Sequence, residues 1–307
     1  MTYTLRLLIC LCLFLWIPFS PAVAGPIQTD LELGVEWQEG ETIYQVGDRV
    51  ATPSGLRDYH FPLSELEFPL DSYLVFLELS VTVRDRLLVT LTGKMNPAGT
   101  DPGTMEDSDW LTPGSTPDIY STSDAELDTQ IWSARIAYRF FPQKRYSFRA
   151  GLGYLYQDFK FEVGDTYQVS SLSGIPTGFF AGDNLFYDVT YEIPYFELGG
   201  RLQATDRISL ELSLGYSPWA EARDEDQHLR TGQISYGECD GSAELGSAQI
   251  RYLFTDHWSA SLRANYCRID TEGRSTTYDT GGNWEYTIDQ EIESEQASVR
   301  ISVGYSF

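Results

Sequence analysis

The sequence predicts an all-β chain: a ten-stranded antiparallel transmembrane β-barrel of up-and-down topology, with strands that extend above the membrane. Three observations predict it. Beyond the first two dozen residues, apolar residues recur with a period of two rather than 3.6. The turns between the alternating segments come in two kinds, tight and long, in strict succession. And the chain has only one long apolar run, at its start, which rules out a bundle of membrane-spanning helices.

That run has the layout of a secretory signal. Arg6 supplies the positive charge, Leu7 to Phe19 the apolar region, and Ala22-Val23-Ala24 a small-x-small cleavage site before Gly25. Residues 1–24 are read as signal and 25–307 as one barrel domain without linkers. Cys10 and Cys12 leave with the signal, and nothing beside them suggests lipid attachment. The whole chain is 42% hydrophobic with a mean hydropathy of −0.26.

The segments are expected at about 27–46, 57–82, 87–96, 127–141, 146–166, 185–204, 208–223, 232–254, 258–272 and 284–307. The last shows the pattern best: Val299, Ile301, Val303, Tyr305 and Phe307 alternate with Ser298, Arg300, Ser302, Gly304 and Ser306. Trp132 to Phe140, Ile208 to Tyr216 and Trp258 to Tyr266 alternate in the same way. Tight turns fall at Arg84-Asp85-Arg86, Pro142 to Arg145, Thr205-Asp206-Arg207 and Thr255-Asp256-His257. Long polar connections are expected near 46–57, 96–126, 168–184, 223–232 and 272–284. A soluble β-sandwich would also alternate. Aromatics at the segment ends, as interface girdles require, and the two classes of turn favour the membrane barrel. Closure removes every sheet edge, which hydrocarbon demands. Many segments exceed the roughly 9–11 residues that span a bilayer, so the sheet should project into the medium.

The alternation slips in two places. Around Ile193-Pro194-Tyr195 the apolar face changes parity. Pro218 precedes a second slip, and strict counting from Leu214 aims Asp226 and His228 away from the lumen. A bulge near Pro218 or within Ala220 to Arg223 would turn them inward.

Two cysteines remain after the signal, Cys239 and Cys267. An export compartment permits a disulfide, but hairpin register about the turn near Asp256 sets Cys267 beside Leu245. The formal net charge is −24. Such a chain repels nucleic acid and anionic head groups and attracts cationic partners. Solvated acidic loops account for the charge as readily as an acidic cleft does.

The chemistry-bearing residues are carboxylates and imidazole. Three scattered histidines, His60, His228 and His257, make a zinc centre unexpected. There is no Gly-x-Ser-x-Gly elbow and no phosphate-cradling glycine motif. Asp224-Glu225-Asp226-Gln227-His228 lies where the strand from Ile208 runs out into a polar loop. Asp226 and His228 are two apart, so on an extended chain they share a face, and a carboxylate-backed imidazole can take a proton from water. Asp107 and Asp109 have the same spacing in another long loop. The expectation is that the two pairs face each other across a groove.

With these residues in view the sequence resembles the omptins, outer-membrane proteases with a ten-stranded barrel. Met105-Glu106-Asp107-Ser108-Asp109-Trp110 is similar to the family's Asp-x-Asp-Trp loop. Trp219 with Asp224 to His228 is similar to its Trp…Asp-x-Asp-x-His segment, and Leu198-Gly199-Gly200, Tyr216 to Trp219 and Tyr305-Ser306-Phe307 add local matches. The resemblance implies an aspartic-type endopeptidase: Asp226 and His228 as the dyad that activates water, Asp107 and Asp109 as the opposing couple. It implies Asp224 as an acid in the pocket for the basic side chain before the cut, Glu41 as a second pocket acid, and Ser123 as a serine near the groove that is not a nucleophile. Omptins cleave between basic residues, in keeping with the acidic charge. They need lipopolysaccharide, held by basic residues on the outer wall. The corresponding places here hold Asp158, Thr190 and Gly241, with Lys160 as another available base.

The expectation is therefore an endopeptidase of the cell outer membrane, acting from its extracellular side on cationic peptides or proteins. It would need no metal or cofactor, with lipopolysaccharide at most an activator, and would touch outer-membrane lipid, bind no nucleic acid and act as a monomer. The alternative is a non-enzymatic barrel, an adhesin or a small pore.

Overall fold

The computed structural model describes residues 27–141, 143 and 145–307. The expected signal segment lies outside the described residues, as do Pro142 and Lys144 of one expected turn. Thirteen strands are present, and no helix among the described residues: β1 (Ile27–Thr52), β2 (Gly55–Asp58), β3 (Ser64–Pro69), β4 (Ser72–Val83), β5 (Leu87–Met95), β6 (Thr100–Asp109), β7 (Ile119–Phe140), β8 (Tyr146–Ser170), β9 (Gly178–Gln203), β10 (Ile208–His228), β11 (Gln233–Leu253), β12 (Trp258–Tyr278) and β13 (Trp284–Ser306). All pairings are antiparallel, and β13 pairs back onto β1, so the sheet closes into a ring. The ring has ten positions. Two of them are filled by stacked pairs, β4 with β3 above it and β5 with β6 above it, between β1 and β7.

The four tight connections all lie at the end of the ring where the two described termini meet, with Phe307 N–H donating to Thr29 O at 2.9 Å. At the other end the strands run further than their composition suggested. The stretches expected as long loops at 96–126, 168–184 and 272–284 are largely strand, in β6, β7, β8, β9, β12 and the start of β13. The true connections at that end are short, for instance 229–232 and 279–283. Backbone groups there are satisfied by neighbouring strands, so polar, Gly-containing sequence still forms sheet.

The ring has two chemically opposite halves. In the half near the termini the outward side chains are apolar: Leu33, Val35, Leu77, Ile136, Leu212, Leu214, Ile301 and Val303 are all exposed. Aromatics border this band, among them Tyr138, Phe140, Phe148, Phe254 and Trp258 at the terminal rim and Trp37, Tyr73, Trp132 and Trp219 at the other. Inside, ion pairs cross the lumen: Arg135 and Arg149 to Glu197 at 2.8 and 2.9 Å, Arg149 to Glu211 at 2.7 Å, Arg300 and Arg263 to Glu78 at 2.7 and 3.3 Å, and Lys94 to Glu36 at 2.7 Å. Arg251 pairs with Glu32 in the same layer. A cavity of about 160 Å³ is left among them.

In the other half the faces exchange character. Inward positions are apolar and close-packed: Phe68, Leu127, Phe159, Phe161, Tyr187, Val189 and Ile292 are essentially inaccessible. Phe68 stacks on Tyr187 at 4.3 Å and leans on Phe161 at 4.8 Å. Outward positions such as Asp124, Glu126, Glu162 and Asp240 are exposed. This explains the slip at Ile193-Pro194-Tyr195. The register of β9 against β8 runs unbroken through these residues. The odd positions stay inward throughout, and it is the chemistry of inside and outside that inverts there.

Cys267 pairs in register with Leu245 and Cys239 with Gly273. Both cysteines are buried and free. The register expected from the turn near Asp256 is thus present, and it keeps the two sulfurs apart.

Candidate active site

The second slip is a real one. Between Ser217 and Ala220 β10 carries one residue more than β11, and the same excess appears against β9 between Tyr216 and Glu221. Pro218 and Trp219 occupy this bulge, both exposed. Below it the odd residues Ser209, Ser213 and Ser217 face the lumen; above it the even residues Ala220, Ala222, Asp224 and Asp226 do. Proline has no N–H to give a ladder and is tolerated at such a site. Trp219 points outward and packs on Phe196 with ring centroids 5.6 Å apart, as a rim aromatic. Asp224 to His228 is the last part of β10 rather than a loop, and Asp224, Asp226 and His228 form an inward ladder with a spacing of about 7 Å per step.

His228 Nε2 lies 3.0 Å from Asp226 Oδ2. The Asp226 side chain is 3% exposed and that of His228 44%, so the carboxylate is sealed while the ring still meets water. An Nε2–H donated to Asp226 leaves Nδ1 as the basic nitrogen. Burial works against the charged imidazole. The Asp226 hydrogen bond and the charges of Asp226, Asp107 and Asp109 together outweigh it, and the pKa of His228 is raised.

Asp107 and Asp109 also stand on a strand, β6, between β3 and β7. Asp107 accepts a hydrogen bond from Ser121 Oγ at 3.3 Å. Burial first, then the charge of Asp109, raise the Asp107 pKa; burial raises that of Asp109 against a Ser64 hydrogen bond that lowers it. The charge of His228 lowers both, so the ring stands close enough to act on the pair electrostatically. The structure thus brings together Asp107, Asp109, Asp226 and His228 over an apolar floor that includes Met105 and Leu66. Two adjacent carboxylates in such a place hold one proton between them more readily than none.

Asp224 lies one step deeper than Asp226. Burial is the main cause of a pKa raised to about 7, opposed by a hydrogen bond from Gln290 and reinforced by the charge of Asp226. Glu41 is not beside it. Odd residues of β1 around it, Trp37, Glu39 and Glu41, are exposed on the outer wall, while Thr42 and Tyr44 face in. The expectation of Glu41 as a second pocket acid is therefore corrected. A shift of one residue exchanges the faces of a strand, and Glu41 stands on the outside near Glu67, whose pKa its charge helps to raise. Ser123 is buried behind the groove and shares a hydrogen bond with Thr166 at 2.8 Å. Sequence reasoning missed Gln290, Tyr44 and Tyr187. The inward parity of Gln290 between Ile288 and Ile292 was the available signal. Among the described residues no group of His, Cys, Asp and Glu has the arrangement of a metal site.

The model of the Omptin family matches residues 57–307. Among solved structures, the outer membrane protease OmpT from Escherichia coli superposes with a TM-score of 0.81 at 16% identity, covering 91% of this chain and 97% of that one. The outer membrane protein OprG from Pseudomonas aeruginosa reaches a TM-score of 0.39 at 11% identity, over 91% of this chain and 95% of its own. The translocator domain of autotransporter NalP from Neisseria meningitidis reaches 0.40 at 11% identity, over 99% and 98%. No curated protein sequence matches the chain.

Proposed function

The chain belongs to the omptin family, and from that premise we propose that it is an outer-membrane endopeptidase of the aspartic type. In this reading it cuts peptides and proteins next to basic residues by direct attack of water. The observation that carries it is the 3.0 Å contact of His228 with a buried Asp226, on the inward face, within the electric field of Asp107 and Asp109. The apolar outer band with its aromatic borders sits in the bilayer. The half that holds the groove stands in the medium outside the cell.

The chemistry follows from the residues. Nδ1 of neutral His228 takes a proton from water as the oxygen attacks the scissile carbonyl. Asp226 orients the ring and stabilises the imidazolium that forms. Asp107 and Asp109, sharing a proton, position the water and donate a hydrogen bond to the carbonyl oxygen as it gains charge. The tetrahedral adduct then collapses with cleavage of its C–N bond, the His228 imidazolium giving its proton to the departing amine nitrogen, and no acyl-enzyme forms. The chain's formal charge of −24 favours cationic substrates.

Lipopolysaccharide enters this reading as an activator that the chain does not need. Asp158 and Thr190 occupy the outer wall, and the bases near them are engaged. Lys160 binds Asp188 at 3.1 Å, and Arg223 contacts Glu192 at 3.1 Å and also Glu221. The rival reading as a pore meets a lumen crossed by ion pairs.

The deciding experiment is hydrolysis of a dibasic fluorogenic peptide by purified protein in detergent, with and without lipopolysaccharide. Cleavage is expected in both conditions, with kcat reduced by about 10²–10⁴ in Asp226→Asn and His228→Ala. Unchanged rates in both variants would eliminate the mechanism. Ion conductance in a planar bilayer, without peptidase activity, would establish the pore instead.

A further inference from the structure

Below the dyad several polar atoms are buried without a hydrogen-bond partner: Asp224 Oδ2, Gln290 Oε1, the Tyr187 hydroxyl and Asp226 Oδ1. Asp224 is 5% exposed and Gln290 1%. Gln290 Nε2 donates to Asp224 Oδ1 at 2.7 Å. This bond runs from β13 to β10 across the inner faces of β12 and β11, over Gly237, the register partner of Asp224. A Cβ at Gly237 would stand 2.1 Å from Asp224 Oδ1 and 2.2 Å from Gln290 Oε1, so only glycine lets the two side chains meet. Burial and then the charge of Asp224 raise the pKa of Tyr187, whose hydroxyl therefore lies within reach of the same field.

A buried carboxylate with one oxygen tied and one unpaired is costly to maintain, and a donor brought by a ligand recovers the loss. The outward placement of Glu41 leaves this floor with a neutral amide where a second acid was expected. Resting on the peptidase reading above, we propose that Gln290 is a specificity-determining positioning residue. It holds Asp224 Oδ1 and leaves Oδ2 alone to receive the basic side chain of a substrate, so that the choice between a cationic and a neutral side chain depends on one ionisation. The unpartnered Gln290 Oε1 and the Tyr187 oxygen accept further donors from the same side chain, which a guanidinium supplies in number.

The titratable groups that act on this site from the strands around it are Asp226 on β10, Tyr44 on β1, Tyr187 and Tyr191 on β9, and Cys239 on β11. None carries positive charge. The phenols and the thiol have their pKa values raised by burial and stay neutral near pH 7. Asp224 and Asp226 are thus the two groups that bring charge to the floor, and Asp224 changes its charge near neutrality.

The test uses two peptides that differ only in carrying arginine or its neutral isostere citrulline before the scissile bond. The ratio of their kcat/KM values is measured with the full protein in detergent, over roughly two pH units on either side of neutrality. Titration of the His228 dyad affects both peptides alike and cancels in the ratio. The ratio is expected to favour arginine by roughly 10- to 100-fold on the alkaline side, through KM, and to fall toward one on the acid side. In Gln290→Ala the midpoint moves to higher pH, because the bond that favours the ionised carboxylate is gone. In Gln290→Glu the arginine preference on the alkaline side grows. A pH-independent ratio in the unmodified protein overturns the proposal without any variant having to fold, and so does an unmoved midpoint in folded Gln290→Ala. Failure to cleave either peptide overturns the peptidase reading, and this inference with it.

Discussion

The two halves of the ring share one backbone pattern and opposite chemistry. On β7, Trp132, Ile136 and Phe140 face out and Ser133, Arg135 and Arg139 face in; a few residues further up, Asp124, Glu126 and Asp128 face out and Ala125, Leu127 and Ile131 face in. β13 repeats the exchange, with Val299, Ile301 and Val303 outward below and Ile288 and Ile292 inward above. The pleat does not change, and the proposed membrane reading accounts for the exchange by a change of solvent. Hydrocarbon around the lower half would demand an apolar exterior and tolerate a lumen of paired charges. Water around the upper half would reverse both requirements. The comparison also shows why the candidate site lies where it does. Carboxylates in the lower lumen are held by arginines and by Lys94. Asp107, Asp109, Asp224 and Asp226 instead face an apolar interior where His228 is, among the described residues, the one base beside them, and burial raises the pKa values of Asp107, Asp109 and Asp224 and sharpens every charge interaction.

The sharpest way to break this comparison is to remove the bulge that joins the two halves of β10. Deleting Trp219 takes out the one extra residue and restores regular pairing with β9 and β11. Every residue above it then changes face, and Asp224, Asp226 and His228 turn outward. The expected result is a loss of peptidase activity of at least about 100-fold. The lower half, and its contribution to the β-sheet signal in circular dichroism, persists. Retained activity would show that the inward ladder is not the reactive one.

A second pair of substitutions sharpens the contrast through stability. Phe161→Ala opens a cavity in the upper core, beside Phe68 and Tyr187, and is expected to cost about 3–5 kcal/mol. Ile301→Arg puts a charge into the middle of the lower apolar band, at a cost of about 2–4 kcal/mol. Glu126→Arg, outward on the upper half and facing Glu162 across the β7–β8 pair, should change stability by no more than about 0.5 kcal/mol. Reversible urea unfolding in lipid vesicles measures all three. Equal costs for Ile301→Arg and Glu126→Arg would mean that both halves see the same solvent.

How far the sequence could be read follows from the same division. In the lower half the outward residues are long and apolar, so Val299 to Phe307 or Ile208 to Tyr216 declared their strands at once. In the upper half a strand such as Asp270 to Tyr278 carries Asp270, Glu272, Arg274 and Thr276 outward and Thr271, Ser275 and Thr277 inward, the composition of a loop, and only its ladders show it to be sheet. The bulge at Pro218 was legible because Asp226 and His228 had to share a face with the lumen. Glu41 was misplaced because an alignment shift of one residue, harmless in a loop, exchanges inside for outside on a strand. Gln290 went unnoticed because its meaning depends on Gly237 and Asp224, distant in sequence and adjacent only through the ring.

The smallest effect expected concerns pH, and it sets activity against stability in the upper half. Asp224 has a folded pKa of about 7, and those of Asp107, Asp109 and His228 are also raised. A group whose pKa is raised on folding adds stability below its unfolded value and loses that contribution as pH rises through the folded one. All four therefore weaken the upper half as pH climbs from the acid range past neutrality. In the proposed mechanism the catalytic requirement runs the other way, since His228 must be neutral to accept a proton, so kcat should rise over the same interval. Asp224→Asn removes one titration without touching the dyad. Its melting temperature should exceed that of the parent above neutrality, by about 2–4 °C for each kcal/mol regained, and the two should converge below about pH 4. The kcat profile on the citrulline peptide should keep the parent's acid limb, because that limb belongs to His228. A melting temperature for Asp224→Asn that tracks the parent at every pH would show that Asp224 is not held in an apolar setting. The contrast between the two interiors would then fail at the residue where it is expected to be strongest.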